Sequence, residues 1–196
     1  SPLKFEKPVS IIIWARNEAE NLRKYLPKVL EQDYSQFEVV VVNDGSTDAT
    51  SKVLFGFSQK HKNLRVIENS ESEYVGKKQA LQLGIKNAQY DYFRLTDADC
   101  EPASVHWLSK MVSGFSENEL VIGLSPHFSD SSFTGKLVQW ETALTAQHYL
   151  SFALAGMPYM GVGRNMAYSR KIFEESTGFS SHLHIPSGDD DLFVSQ

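Results

Sequence analysis

The sequence predicts an α/β domain, with a mostly parallel central sheet flanked by helices. Two observations carry this. Apolar, β-branched runs alternate with segments whose apolar residues recur at helical spacing. Three of the four runs also end in polar clusters, as strand ends do where a parallel sheet forms its ligand crevice.

The elements follow in order. Val9 to Trp14 (VSIIIW) is a continuous apolar run, the pattern of a strand buried on both faces. Asn17 to Leu30 places Leu22, Leu26, Val29 and Leu30 at helical spacing, with Asn17 as the expected N-cap and Pro27 expected to kink or divide the helix. Phe37 to Val42 (FEVVVV) reads as a second buried strand, stopped by Asn43-Asp44-Gly45-Ser46. Thr47 or Asp48 then caps a helix to about Gln59. Leu64 to Glu68 is a third strand, Gly76 to Ala88 a helix on Ala80, Leu81, Leu83 and Ile85, and Tyr92 to Leu95 a fourth strand ended by Thr96-Asp97-Ala98-Asp99. Beyond it the pattern is less regular: a helix over Ser104 to Phe115, a strand over Leu120 to Leu124, and one long helix within Gly135 to Leu154. The apolar stretch Tyr149 to Val162 is broken by Gly156, Pro158 and Gly161 and is too short for a membrane span.

Composition narrows the function classes. The 196 residues are 41% hydrophobic and 22% charged, which excludes collagen-like and disordered chains. One cysteine, Cys100, excludes an internal disulfide and a Cys-rich zinc site. Nineteen basic against 24 acidic residues leave a net charge of −5, with no basic stripe for nucleic acid. There is no P-loop and no HExxH, and Gly161-Val162-Gly163-Arg164-Asn165 lacks the spacing and position of a dinucleotide-binding loop. Both termini read as boundaries inside a longer protein, and the 196 residues as a single domain in two halves, 1–100 and 101–196.

The strand-end clusters carry the chemistry. In Asp97-Ala98-Asp99, two carboxylates flank one residue and can reach a single ligand; their oxygens suit hard cations such as Mg²⁺ or Mn²⁺, though a cap or solvated loop uses the same residues. Asp44 sits in ordinary turn chemistry that also offers a carboxylate to a base or ribose. Lys77 and Lys78 open a helix, where cations and free N–H groups can hold phosphate or simply face solvent. In Gly188-Asp189-Asp190-Asp191, mutual repulsion favours protonation of one carboxyl group, suiting it to accept a proton; a helix start uses the same residues.

Taken together these motifs resemble those of family 2 glycosyltransferases with the GT-A fold. VSIIIWARNEAENL resembles that family's first strand and turn, VVVVNDGSTDAT its second strand and loop, GKKQALQLGIKNA its Gly-Lys helix and TDADCEP its metal motif. GVGRNMAYSRKIFEESTGF resembles the stretch before the acceptor side, and SGDDDLF the motif of the catalytic base. The resemblance implies a three-layer sandwich and inverting transfer from a nucleotide-diphosphate sugar, UDP-linked by family habit with guanosine open, to a glycan, lipid-linked or other hydroxyl acceptor. It implies that Ala15, Arg16 and Glu18 line the nucleotide pocket, Asp44 contacts base or ribose, Lys77 lies near the diphosphate, and Asp97 contacts the nucleotide. Asp99, with Asp97, would hold Mn²⁺ or Mg²⁺, and Asp190, or else Asp189, would be the base. It further implies polysaccharide or cell-wall synthesis at the cytoplasmic face of a membrane, with attachment through segments outside this sequence. Trp14 and Arg16 depart from the proline and tyrosine frequent in the family, and Gln139-Trp140 is not its processive motif. Two other readings are a nucleotide-sugar-forming nucleotidyltransferase, although no glycine-rich loop follows the first strand, and a catalytically silent nucleotide-sugar-binding module.

Overall fold

The computed structural model describes residues 6–69, 76–116, 118–127, 132–176 and 194. The chain runs β1 (Val9–Ala15), α1 (Ala19–Leu30), β2 (Phe37–Asn43), α2 (Thr50–Ser58), β3 (Leu64–Glu68), α3 (Lys77–Asn87), β4 (Tyr92–Asp97), α4 (Trp107–Val112), β5 (Leu120–Ile122), α5 (Phe133–Leu154), β6 (Met166–Ser169) and α6 (Arg170–Glu175). One six-stranded sheet has the order β3-β2-β1-β4-β6-β5. β1 to β4 are mutually parallel, and β6 enters antiparallel between β4 and β5.

Strand alternation explains the layers. Ile11, Ile13, Val39 and Val41 pack on one face with Leu22 and Leu26 of α1, Leu54 of α2 and Leu108 of α4. Ile12, Val40, Phe93 and Leu95 pack on the other with Leu81 and Ile85 of α3. Both faces are therefore covered, which is why β1 and β2 read as unbroken apolar runs. Each fully buried isoleucine contributes about 1.5–3 kcal/mol.

The strand order creates the ligand crevice. From β1 the chain steps outward to β2 and β3, then returns to pair β4 on the other side of β1. The carboxyl ends of β1 and β4 therefore flank a topological switch point. The antiparallel β6 brings its amino end to the same edge, since Leu95 pairs with Met166.

Three local expectations are corrected and one is narrowed. Asn17 does not cap α1: it takes a left-handed conformation, φ 58°, and its side chain serves the next loop, while Glu18 stands at the cap position without a side-chain bond to the free amides of the helix. Pro27 does not divide α1, because burial of Leu22, Leu26, Val29 and Leu30 offsets the backbone bond it cannot make. Of the two candidate caps for α2, Asp48 bonds the Thr50 amide, whereas Thr47 turns to Asn17. β6 lies in a stretch to which the sequence assigns no element; its four residues are buried between antiparallel partners, a context that short runs do not announce. Among the described residues no helix is long and apolar enough to cross a membrane.

Candidate active site

The loops after β1 and β2 are stitched together before any ligand is considered. Asn17 Oδ1 accepts from the Thr47 amide at 2.8 Å, and Ser46 Oγ accepts from the Asn17 amide at 2.9 Å. Asp48 accepts from the Ala19 and Thr50 amides, so one carboxylate satisfies free N–H groups at the starts of both α1 and α2. The hydrogen bonds it receives, led by Thr50, hold its carboxyl below the ordinary value of 3.8.

Asp44 lies behind this wall, completely enclosed. Trp14 Nε1 donates to its Oδ2 at 3.2 Å and Asn69 Nδ2 to its Oδ1 at 2.6 Å, while its amide donates to the Ala15 carbonyl. Each carboxylate oxygen accepts up to two bonds, so capacity remains on both. Ala15 is buried, Arg16 is exposed, and Glu18 accepts from Asn21 Nδ2. Trp14, where the family often has proline, thus anchors Asp44.

Across the crevice, Asp97 ends β4 opposite Trp14 in register. Lys77, the first residue of α3, reaches over so that its Nζ lies 2.7 Å from Asp97 Oδ1. The turn after β4 is closed by the Cys100 amide on the Asp97 carbonyl. It brings a carboxylate oxygen of Asp97, one of Asp99 and the Cys100 thiol within 4.8 Å of one another. Burial, then Asp99 and Asp97, push the Cys100 thiol up to about 11, so it is protonated at neutral pH. Two hard carboxylates with a protonated thiol suit Mg²⁺ or Mn²⁺ better than a thiophilic ion.

These acids open into a cleft of about 580 Å³, whose far wall is Leu124, Ser125, Arg164 and Asn165. A second cavity of about 390 Å³, under α5, shares Ser125, Thr142 and Arg164 with it. A larger open hollow of about 650 Å³ lies at the opposite edge of the sheet, between Lys7, Asp91, Glu119 and Arg170. There Arg170 is already paired with Asp91, and among the described residues the acidic group able to hold a metal lies elsewhere, at Asp97 and Asp99.

The structure thus gathers Ala15, Arg16, Glu18, Asp44, Lys77, Asp97 and Asp99 at one edge of the sheet. Asp189 and Asp190 lie outside the described residues. Sequence reasoning missed Arg94, Asn165 and Trp107, which support the far side of the cleft. Their only signal was an arginine inside an otherwise apolar strand.

Comparisons with known proteins bear on the family and the fold. Residues 10–177 match the Glycosyl transferase family 2. The chain is 32% identical over 190 residues to glycosyltransferase AglE of Haloferax volcanii, covering 92% of this chain and 58% of that protein. It is 33% identical over 91 residues to a poly-beta-1,6-N-acetyl-D-glucosamine synthase of Staphylococcus epidermidis, covering 46% of this chain and 21% of that one. The chain therefore spans little more than half of the first relative and about a fifth of the second. Among solved structures, a mannosyltransferase of Pyrobaculum calidifontis in complex with GDP-Man and Mn²⁺ superposes with a TM-score of 0.70 at 23% identity, over 96% of this chain and half of that one. S. aureus TarS 1-349 in complex with UDP superposes at 0.65 and 17% identity, over 95% of this chain and 54% of that one. With its α/β sandwich, its matched span and these neighbours, the chain belongs to glycosyl transferase family 2 and has the GT-A fold.

Proposed function

We propose that the protein transfers a sugar from a nucleotide-diphosphate donor, UDP-linked in the first instance, to a hydroxyl acceptor in glycan or polysaccharide synthesis. One observation carries the reading: Asp97 and Asp99 converge beside Lys77 in the crevice between β1 and β4. The matched span and the glycosyltransferase relatives support it.

We assign the roles from this geometry and, for Asp189 and Asp190, which lie outside the described residues, from the family resemblance. The stitched loops after β1 and β2, with Ala15, Arg16 and Glu18, bound the nucleoside side. Asp44 contacts a base or ribose only if the enclosing wall opens, for example if Asn69 gives up Asp44 Oδ1. Asp99, with Asp97, would hold Mn²⁺ or Mg²⁺, which when bound offsets the charge that builds on the departing diphosphate. Lys77 keeps Asp97 oriented and presents a cation to the diphosphate oxygens. An acceptor hydroxyl enters from the cavity under α5, and Asp190, with Asp189 as the alternative, takes its proton as the new bond forms with inversion.

A donor panel with Mn²⁺ tests this. UDP- and GDP-sugars are incubated with hydroxyl acceptors, and released nucleoside diphosphate is measured. Release from one nucleotide class, lost in Asp99→Asn, is the expected result. Pyrophosphate formed from a nucleoside triphosphate and a sugar phosphate would instead establish the nucleotidyltransferase reading. Metal-dependent nucleotide binding without turnover in the full-length protein would establish a silent binding module.

A further inference from the structure

Arg94 is an unusual residue for the centre of a sheet. Its neighbours Phe93 and Leu95 pack on the α3 side, and Arg94 points to the other face, fully buried. Its guanidinium lies 4.1 Å from the centre of the Trp107 ring. It donates to the Leu95 carbonyl, to the Met166 carbonyl at 3.2 Å and to Asn165 Oδ1. Among the described residues its Nε has no partner and no carboxylate pairs with it. Burial pulls its pKa down to about 9, well above neutrality, so the cation persists. A buried cation without a counter-ion is costly, which makes its contacts the place to look for its use.

Those contacts lead to Asn165, which is bonded through every polar group it has. Its Oδ1 accepts from Arg94, its Nδ2 donates to the Leu124 carbonyl at 2.5 Å, its amide donates to Val162 and its carbonyl accepts from the Gly123 amide. The fit is tight: a Cβ on Gly123 would stand 2.4 Å from Asn165 Nδ2. The Gly123 carbonyl is held in turn by the Tyr149 hydroxyl of α5, and Arg164 Nε bonds Ser125 Oγ at 2.9 Å. Leu124, Ser125, Arg164 and Asn165 form the wall facing Asp97 and Asp99, and Ser125 and Arg164 also line the second cavity.

Resting on the transferase reading, we infer that Arg94 is a positioning residue for sugar transfer: through Asn165 it clamps the wall between the carboxylate cleft and the cavity under α5, and so sets the acceptor's register against the donor. It touches neither donor nor acceptor. Lysine cannot replace it, because a single ammonium cannot span two carbonyls and an amide oxygen while lying flat on an indole.

The test compares wild type, Arg94→Lys, Asn165→Ala and Gly123→Ala, the last pushing on Asn165 without altering Arg94. Transfer to acceptor and hydrolysis of donor by water are measured side by side, together with amide hydrogen exchange. In Arg94→Lys, transfer is expected to fall at least about tenfold while donor hydrolysis and nucleoside diphosphate affinity stay within about threefold. Asn165→Ala should reproduce that split, and the Arg94→Lys/Asn165→Ala pair should be no worse than either alone. The Gly123 amide should exchange at least about tenfold faster, with β1 and β2 unaffected. Parallel loss of transfer and hydrolysis, or no change in either, overturns the inference. If Arg94→Lys does not fold, Gly123→Ala decides by the same split. A wild type that neither binds nor cleaves any nucleotide sugar would sink the transferase reading and the catalytic inference with it, whereas the exchange rates separately show whether the clamp exists.

Discussion

Lys77 Nζ and Asp97 Oδ1 stand 2.7 Å apart across the crevice between α3 and β4, joining the start of one element to the end of another. Both groups are partly exposed, so the pair in isolation contributes little to stability. Its value lies in placing a cation beside a pair of acids. Lys77→Met should lower nucleoside diphosphate affinity about tenfold, equivalent to ~1.4 kcal/mol, with the melting temperature nearly unchanged. Calorimetric titration checks this; unaltered affinity would remove Lys77 from the site.

The metal preference should follow the carboxylates and not the thiol. Asp99→Asn should abolish the Mn²⁺-dependent part of nucleotide binding, while Cys100→Ser should leave it within about twofold, since Mn²⁺ and Mg²⁺ favour oxygen ligands. Titrating metal against each variant separates the two. Equal losses would make Cys100 a third ligand.

Asp48 should make the stitched loops acid-sensitive. Its folded pKa lies below its ordinary 3.8, so its contribution is present above that value and fades as pH falls through 3.8 toward the lower folded value. Wild type should therefore lose stability over this range more steeply than Asp48→Ala, which should also melt lower at neutral pH. Parallel melting curves from pH 6 to 3 would contradict the bridge between α1 and α2.

Gly84 lets α3 lie close against the sheet. A Cβ there would meet Ile12 Cγ2 at 2.7 Å and Val42 Cγ2 at 3.1 Å. Gly84→Val should cost about 1–3 kcal/mol through overpacking, read by urea unfolding. A neutral result would mean α3 can lift away from β1 and β2.

Residues whose surroundings are local were legible in the sequence. Val9 to Trp14 and Phe37 to Val42 are buried on both faces and could only be central strands, and Asp97-Ala98-Asp99 had to fall at a strand end. Asn17 was misread because its partner, Thr47, lies beyond the next strand, and a left-handed turn looks like a cap in sequence. β6 was missed because four residues between antiparallel neighbours have no period to detect. Arg94 could be seen but not understood: its meaning depends on Asn165, 71 residues away.

Anomalous diffraction from crystals grown with Mn²⁺ and UDP or GDP tests the central claim most directly. The expected result is a manganese peak against the Asp99 carboxylate, with the diphosphate beside it on the Lys77 side of the crevice and the base toward Arg16. A nucleotide bound with no metal at Asp97 or Asp99, or one seated in the hollow at the opposite edge between Lys7 and Arg170, would contradict the account.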